Sequence, residues 1–381
     1  MTPDAVLCFV LVLLVPFAAA GLALMNTGLS RSRSAAHTMF ASLLVLAVAA
    51  LAYLVCGYAL QMHSGSSEML AALLGMLSCG IASMIPLGGG SDRWRLSACC
   101  ASTAFFAGIV FPLFAHSVWG GGWLSQIGFL DTGGAATIHA TGGLAALSIV
   151  WILGPRRGKY VDGLPAALPG HDAVLVILGC FAGLVGWLGL NCAGAILYNK
   201  IASAGVVLVA VNTILSASAA ALTAALVTRA RYNRPDASIC ANGWTGGLVA
   251  SSAVAAFASP LAAALVGLVA GAVVAISVET LDLRLALDDP GGAISVHGVA
   301  GVWGILAVGF FTQGDWLAQI AGIATLLGIV FPVIYGANWL LNRFHPLRVA
   351  AEGESTGMDL HELGAGAYPD FVTHHDDSFS R

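Results

Sequence analysis

The stretch Asp131-Thr-Gly-Gly-Ala-Ala-Thr-Ile-His-Ala-Thr-Gly-Gly143 returns late in the chain as Asp289-Pro-Gly-Gly-Ala-Ile-Ser-Val-His-Gly-Val-Ala-Gly301. Each copy begins with an acid followed by a residue and Gly-Gly-Ala, and each places a histidine eight residues after the acid. Both copies lie at the start of apolar segments, so His139 and His297 are predicted to lie inside hydrophobic helices. Ionisable side chains are costly within such helices and by default mark a path for a substrate or a proton.

The composition around these motifs indicates an integral membrane protein. Of 381 residues, 58% are hydrophobic and only 9% are charged, and the mean hydropathy is +0.89. A soluble protein of this length needs many more charges on its surface. The 47 glycines suit helices that approach closely in lipid, where small residues let backbones touch. We therefore predict an all-α membrane protein.

The sequence argues against several classes of function. The polar segments contain no pair of nucleophile and base and no nucleotide-binding loop, so we expect neither enzyme activity nor a cofactor. No third His, Cys or Glu lies at ligand spacing in either motif, which argues against a zinc site. The eight cysteines form no C-x-x-C spacing. We expect no metal site and no nucleic-acid partner.

Apolar segments of spanning length, about 20 residues each, predict eleven transmembrane helices. They lie at roughly 5–25, 38–61, 69–88, 96–117, 132–153, 173–193, 204–228, 237–258, 261–279, 291–312 and 317–341. No Lys or Arg precedes the first apolar run, so we interpret it as a retained helix and not as a signal peptide. The transmembrane domain is predicted over about residues 1–342, and a polar tail over about 343–381.

The basic residues decide the predicted orientation. Among the 15 Lys and Arg residues, only Lys200 follows an even-numbered helix. Because basic residues accumulate in cytoplasmic loops, we predict an outside N-terminus, a cytoplasmic tail and a place in the cell (inner or plasma) membrane. Asp131 then faces outside and Asp289 faces the cytoplasm. This predicts an inverted repeat of about residues 5–153 and 173–312, with the eleventh helix at 317–341 outside the repeat.

The two histidines are predicted to meet near the middle of the membrane. Eight residues at ~1.5 Å each place a histidine ~12 Å along its helix, and the hydrocarbon core is about 30 Å thick. Each aspartate suits the start of its helix, where its carboxylate accepts free backbone N–H groups. Desolvation favours neutral imidazoles, which line a path suited to a small molecule that both donates and accepts hydrogen bonds. A structural hydrogen bond between helices is the alternative, and the symmetric placement favours function.

Trp119 lies in the segment His116-Ser-Val-Trp-Gly-Gly-Gly-Trp123, twelve residues before Asp131. One interpretation is an aromatic anchor at the membrane interface. The other is a ring face that attracts a cation at the mouth of the path. The residues alone leave both interpretations open.

These motifs together resemble those of the ammonium transporter family, Amt, within the Amt/Rh superfamily. The resemblance covers most of the chain, and its most specific parts are Ala115-His-Ser-Val-Trp-Gly-Gly-Gly122, Asp131 to His139, Gly186-Trp-Leu-Gly-Leu-Asn191, Asp288-Asp-Pro290 to Val299, and Asp359 to Phe371. It implies homotrimers in which each protomer has its own pore, with ammonium captured at an outer vestibule and net charge transfer.

The resemblance also implies roles for single residues. His139 and His297 match the twin histidines that line the conduction path, and Trp187 matches a tryptophan beside the pore. Trp119 matches the vestibule tryptophan, and Asp131 matches the acid that supports the outer site. Asp289 is the repeat partner of Asp131.

Three positions depart from the family pattern. The family usually has a phenylalanine of a stacked gate where this chain has Leu190, and a serine where it has Gly194. A gapless alignment from Arg93-Trp-Arg95 places the second gate phenylalanine at Ser78. The resemblance therefore predicts an intact histidine path behind an altered entrance.

The tail, from Asp359 to Tyr368, keeps the family's pattern of residues, although Leu363 occupies a position where a histidine is usual. Residues from about 343 onward are too polar to span lipid and are predicted to pack beneath the protomers. In relatives this tail couples subunits and can meet a PII-type signalling protein, so we predict a regulatory role.

Three functional hypotheses follow. The leading one is transport of ammonium or ammonia through a twin-histidine pore in each subunit, with net charge transfer. The second is an ammonium receptor that signals through its tail. The third is an electroneutral ammonia channel like the Rh relatives.

Overall fold

A computed structural model describes residues 3–62 and 68–368 of the chain. These residues form helices joined by short loops, with one antiparallel hairpin of Tyr160–Val161 and Leu164–Pro165. The long helices are α1 Pro3–Leu29, α2 Ser32–Gln61, α3 Glu68–Gly90, α4 Leu96–Gln126, α5 Ala135–Leu153, α6 Ala173–Leu197, α7 Ser203–Tyr232, α8 Ala237–Val254, α9 Pro260–Leu285, α10 Ile294–Phe311 and α11 Trp316–Phe344.

Ten of these helices, all except α8, are long and apolar enough to cross a membrane. They correspond to ten of the eleven predicted segments. The remaining segment, predicted at 237–258, forms α8, which is less apolar because it carries Asn242, Thr245, Ser251 and Ser252. All four side chains are buried, and α8 packs against α6, α7, α9 and α10. A helix enclosed by other helices needs no apolar face toward lipid.

Short polar side chains set the starts of several helices. Asp172 accepts a hydrogen bond from a backbone N–H of the first turn of α6, and Asp236 does the same for α8. Asp315 caps α11 in the same way. Ser259 caps α9, and Pro260 occupies the following position, where a missing N–H costs nothing.

Helices α5 and α10, which carry the two motif copies, cross at the centre of the fold. Gly143 of α5 touches the backbone of Gly298 in α10, and Gly301 of α10 touches the backbone of Ala135 and Ala140 in α5. Neither glycine leaves room for a Cβ atom. Since residue numbers rise along α5 as they fall along α10 at these contacts, the helices run antiparallel.

The end of the bundle where α5 stops and α10 begins is held by a buried ion cluster, and we call it the arginine end. Arg156 contacts both oxygens of Asp288 at 2.9 Å and one oxygen of Asp92 at 3.0 Å. Arg31 also binds Asp92, and Arg93, fully buried, donates to the Asp288 carbonyl. Burial raises the pKa of Asp288, but Arg156 and Arg93 together lower it below the ordinary 3.8.

The tail lies against the arginine end and comprises the helix Ala351–Thr356 and a π-helical turn, Asp359–Leu363. Asp359 accepts hydrogen bonds from the backbone N–H groups of Ala36 at 3.2 Å and His37 at 2.7 Å, so it caps the start of α2. Tyr368 contacts His171, with its hydroxyl 3.0 Å from Nε2. The tail thus binds loops and helix ends of its own chain.

Candidate functional site

The structure brings the two motif histidines together. The Nδ1 atoms of His139 and His297 are 3.3 Å apart, and their ring centroids are 5.3 Å apart. His139 is completely buried and His297 is 4% exposed. Each lies in a π-helical turn, Ala135–Ala140 or Ile294–Val299, a local widening of the helix that is frequent at functional sites.

The glycines and the acid of each motif build the start of its helix. Gly134 and Gly292 have φ angles of +93° and +67°, a conformation that glycine adopts without strain. Asp131 then accepts hydrogen bonds from Ala136 N at 3.1 Å and Thr137 N at 2.8 Å, and Asp289 accepts them from Ala293 N at 3.0 Å and Ile294 N at 2.7 Å. The predicted capping by both acids is confirmed.

Burial dominates the ionisation of these two acids. It raises the pKa of Asp131 to about 6, although the backbone and hydroxyl hydrogen bonds from Thr137 act in the opposite direction. It also raises the pKa of Asp289 to about 6 against its own backbone hydrogen bonds. Each carboxylate therefore carries its charge at neutral pH and loses it in mild acid.

Trp187, from α6, lies flat on His139. Their ring centroids are 5.1 Å apart and the planes differ by 9°. The Nε1 atom of Trp187 and the Nε2 atom of His139 are buried, and neither has a hydrogen-bond partner among the described residues. Buried polar groups without partners are uncommon and call for an explanation, such as a ligand or water.

Trp119 lies beside Asp131 at the opposite end of the bundle, which we call the tryptophan end. Its Nε1 donates to the Asp131 carbonyl at 2.8 Å. Its ring is stacked on Tyr198, with centroids 4.5 Å apart and planes 7° apart. Sequence reasoning missed Tyr198, whose only signal is an aromatic residue at the end of α6, near Lys200 at the expected interface. One face of Trp119 is therefore covered by Tyr198.

Two unpaired acceptors lie in this region. Asp131 Oδ1 and Asn191 Oδ1 are buried without a hydrogen-bond partner in the described part of the chain. The Asn191 amide donates to Thr213 at 2.9 Å and to Ser251 at 3.2 Å. These bonds direct the Asn191 oxygen toward Gly133, whose backbone packs against it. An oxygen acceptor in this state matches a ligand that donates hydrogen bonds.

The three positions at which the resemblance implies departures from the family pattern are all in the interior. Ser78 is fully buried and its Oγ has no partner among the described residues, and Leu190 is 1% exposed. Gly194 lies directly against the carbonyl oxygen of Thr132, where no Cβ atom fits. The glycine is thus part of the contact between α6 and the first motif.

No group of three or more His, Cys, Asp or Glu within residues 3–62 and 68–368 is arranged to hold a metal ion. The site presents imidazole, indole, carboxylate, amide and hydroxyl groups. Such groups exchange hydrogen bonds and protons with a small ligand.

Comparison with known proteins identifies relatives of this chain. The model of the Ammonium Transporter Family matches residues 6–70 and 61–368. Ammonium transporter Amt2 of Archaeoglobus fulgidus is 32% identical over 94% of this chain and 86% of its own length. The solved structure of a protein called Sensor Amt Protein superimposes with a TM-score of 0.90 at 26% identity, covering 94% of this chain and 98% of that one.

A second solved structure, Mep2 of Candida albicans, shares the fold with a TM-score of 0.84, at 24% identity over 97% of this chain and 91% of that one. The fold, the family match over most of the chain and the ten membrane-length helices lead to one conclusion: this chain is an integral membrane protein of the ammonium transporter family.

Proposed function

We propose that the protein carries ammonium or ammonia across the cell membrane along a path lined by His139, His297 and Trp187. The observation that carries this proposal is the buried contact between the two imidazoles at 3.3 Å, formed where two antiparallel helices cross. A neutral imidazole pair offers nitrogen donors and acceptors to ammonia and too few oxygens for a hydrated metal cation.

Capture begins at the tryptophan end, which we assign to the outside. The Asp131 carboxylate attracts the cation, and the unpaired oxygens of Asp131 and Asn191 accept its N–H donors. The Trp119 face that Tyr198 leaves uncovered supplies a cation-π contact. Both acceptors are buried, so the cation gives up water as it binds.

Conduction then separates the substrate into two parts. Ammonium releases one proton and becomes ammonia, which passes between Trp187 and the imidazoles. The proton moves from one Nδ1 to the other, because each imidazole can accept a proton on one nitrogen and release one from the other. One ammonia and one proton cross together, so one net positive charge is transferred.

The proposed architecture has eleven spans, an outside N-terminus and a cytoplasmic arginine end. The antiparallel crossing of α5 and α10 supports the inverted repeat of residues 5–153 and 173–312, with α11 outside it. The domain spans about residues 1–342, and the tail about 343–381. Family membership supports a homotrimer with one pore in each protomer.

The altered gate changes capture more than conduction. Leu190 and Ser78 supply no aromatic ring for a cation, and Gly194 supplies no hydroxyl. We therefore propose weaker capture of ammonium than in relatives that keep these groups, with the histidine path unchanged.

Electrophysiology on purified protein tests the proposal. Protein reconstituted on a solid-supported membrane should give a transient current after an ammonium pulse, and His139→Ala or His297→Ala should abolish it or alter it at least about tenfold. The proposal would be wrong if the folded trimer gave neither a current nor uptake of labelled methylammonium. Uptake without charge transfer would instead identify an electroneutral ammonia channel.

A receptor is the second candidate, and the likeness to Sensor Amt Protein favours it. In this case ammonium binding at the same site changes the contacts of the tail, which joins Asp359 to α2 and Tyr368 to His171. A PII-type protein is one candidate partner at this face. Ammonium-dependent capture of a partner by protein that carries no flux would favour the receptor over the transporter.

A further inference from the structure

A small polar cavity lies between α3, α4, α5 and α11, toward the arginine end. Its volume of about 10 Å³ is about that which a single water molecule needs. Asn338 lines it, six residues before Phe344, the last residue of α11. At ~1.5 Å per residue the cavity therefore lies ~9 Å from that helix end, inside the bundle. The polar side chains of the lining are Ser83, Trp94, Ser102, Thr103 and Asn338, and the others are apolar.

Trp94 brings an unpaired donor to this lining. Its side chain is buried, and its Nε1 has no hydrogen-bond partner among the described residues. The backbone on either side of it is fixed by pairing with the start of the tail. Arg95 N donates to the Leu347 carbonyl at 2.9 Å, and the Arg93 carbonyl accepts from Val349 N at 3.0 Å. An indole has one donor and no acceptor, so the missing partner must be an acceptor.

Two oxygens of the lining have room for a further donor. Ser102 Oγ donates to Asn338 Oδ1 at 2.7 Å, and Asn338 Nδ2 donates to Ser148 Oγ at 3.2 Å. An amide oxygen and a hydroxyl oxygen each have two acceptor positions. Within the described residues, Asn338 Oδ1 accepts from Ser102, and Ser102 Oγ accepts no donor. A ligand that donates hydrogen bonds can therefore bind both oxygens.

One water molecule fits this lining better than other small ligands do. The described lining residues include no charged side chain, so a cation would find no opposite charge in the cavity. An apolar ligand would leave the Trp94 N–H without an acceptor. Water donates two hydrogen bonds and accepts two, so it can accept from the indole while it donates to two oxygens.

We propose that this cavity binds a single structural water molecule, which accepts from Trp94 Nε1 and donates to Asn338 Oδ1 and Ser102 Oγ. The water completes a polar network that joins the turn between α3 and α4 to α4, α11 and α5. Ser148, at the far end of this network, lies in α5, nine residues after His139. Buried water of this kind is part of the fold, because it satisfies groups that no side chain reaches. The site is independent of the function proposed above.

Crystals of the full chain test the site directly. At a resolution that shows ordered water, the parent should have a peak in the cavity about 2.7–3.2 Å from both Trp94 Nε1 and Asn338 Oδ1. Trp94→Phe removes the donor and Asn338→Leu removes the acceptor, so each variant should lose the peak. The matched control is Trp303→Phe, the same ring change at an indole that already donates to the Val266 carbonyl at 2.9 Å. It should keep the peak.

Three crystallographic results would contradict the proposal. The first is a parent structure without a peak beside Trp94 Nε1. The second is density only beside His37 and Thr38, which line another small cavity next to Trp94. The third is an undiminished peak in both Trp94→Phe and Asn338→Leu, because such a water would not depend on the two groups assigned to it.

Solid-state NMR of the parent in lipid decides the site even if a variant fails to fold. In protein labelled with ¹⁵N at tryptophan, magnetisation from water protons should reach the Trp94 indole nitrogen faster than the Trp303 indole, which is bonded to a carbonyl. The fast signal should be lost in Trp94→Phe. Equally slow transfer to both indoles would overturn the site and indicate an N–H contact with an aromatic ring instead. Neither measurement uses transport, so protein that carries no flux still decides it.

Discussion

At the residue scale, the described interior keeps polar atoms that have no protein partner. They include Ser78 Oγ, Trp187 Nε1 and His139 Nε2. An unsatisfied buried polar group costs about 1–3 kcal/mol, so a fold optimised only for stability would replace these groups with apolar ones. Because Trp187 is stacked on His139, two of the three lie side by side. This is the pattern expected of a path whose ligand supplies the missing hydrogen bonds.

Tyr198 changes the interpretation of Trp119. The indole was open to two meanings, a membrane anchor and a cation-π face. The stack at 4.5 Å and the hydrogen bond to the Asp131 carbonyl hold the ring in one position. A ring fixed by two neighbours serves recognition better than a mobile interfacial anchor, because less ordering remains to be done when a ligand binds.

Asp131 gives a pH prediction at the same scale. Burial raises its pKa to about 6, so the carboxylate is charged at pH 8 and neutral at pH 5. The apparent affinity for ammonium should therefore be full above about pH 7 and fall as external pH drops through about 6. Currents recorded at constant ammonium from external pH 5 to 8 check this, and Asp131→Asn should lose the step.

The shape of this profile separates two mechanisms. An electroneutral ammonia channel follows the free ammonia concentration, which rises about tenfold per pH unit across the whole range, since ammonia is the deprotonated form. Titration of Asp131 instead gives a plateau above about pH 7. A profile that keeps rising to pH 8, or one without any step, contradicts the role proposed for Asp131.

At the element scale, small residues decide how closely the helices carrying the motifs approach their neighbours. Gly143 allows α5 to touch α10, and this contact brings the two histidines within 3.3 Å of each other. Gly194 has the corresponding role between α6 and the Thr132 carbonyl. The absence of a side chain at position 194 is therefore a requirement of the packing between α6 and the first motif.

Placing a serine at this position tests this view. Gly194→Ser places a Cβ against the Thr132 carbonyl, which must shift, so we expect a loss of about 1–3 kcal/mol of stability and no gain in ammonium affinity. Thermal unfolding and the currents measure the two effects. Gly336→Ser in α11 is the control, because nothing lies within 4 Å of its added Cβ. A stable Gly194→Ser protein with tighter capture would show that the hydroxyl alone was missing.

At the scale of the whole molecule, the tail joins elements that are far apart in sequence. Asp359 caps α2, while Glu362 contacts His37 Nε2 at 2.7 Å and accepts from Leu96 N at 2.9 Å, at the start of α4. Arg348 donates to the Leu153 carbonyl at 2.8 Å, at the end of the helix that carries His139. The tail is thus hydrogen-bonded to the helix that carries His139.

Removing the cap tests this connection. Asp359→Ala leaves the N–H groups of Ala36 and His37 without their acceptor, at a cost of about 1 kcal/mol. Hydrogen exchange at these two amides should accelerate about fivefold, and the ammonium current should change with it. Asp315→Ala, which uncaps α11 away from the tail, is the control. Unchanged exchange would show that the tail does not hold α2, and faster exchange with an unchanged current would limit it to a structural role.

Much of the architecture was predictable from the sequence because the signals are local. Ten apolar segments became helices of spanning length, since a span of lipid demands a run of apolar residues whatever their neighbours are. Segment 237–258 is the instructive exception. Its helix α8 forms where it was predicted although it is less apolar than the other ten, because other helices shield it and its buried hydroxyls bond to carbonyls of its own helix.

The sequence by itself determined the class of protein, most of its helices and the symmetric pair of motifs, because composition, spacing and capping depend on residues close along the chain. Only the tertiary structure decided that Tyr198 covers Trp119, that Gly194 lies against Thr132 and that Ser295 keeps a free hydroxyl where Thr137 does not. These contacts depend on how helices from distant parts of the chain pack, and packing is a property of the whole molecule that no local pattern contains.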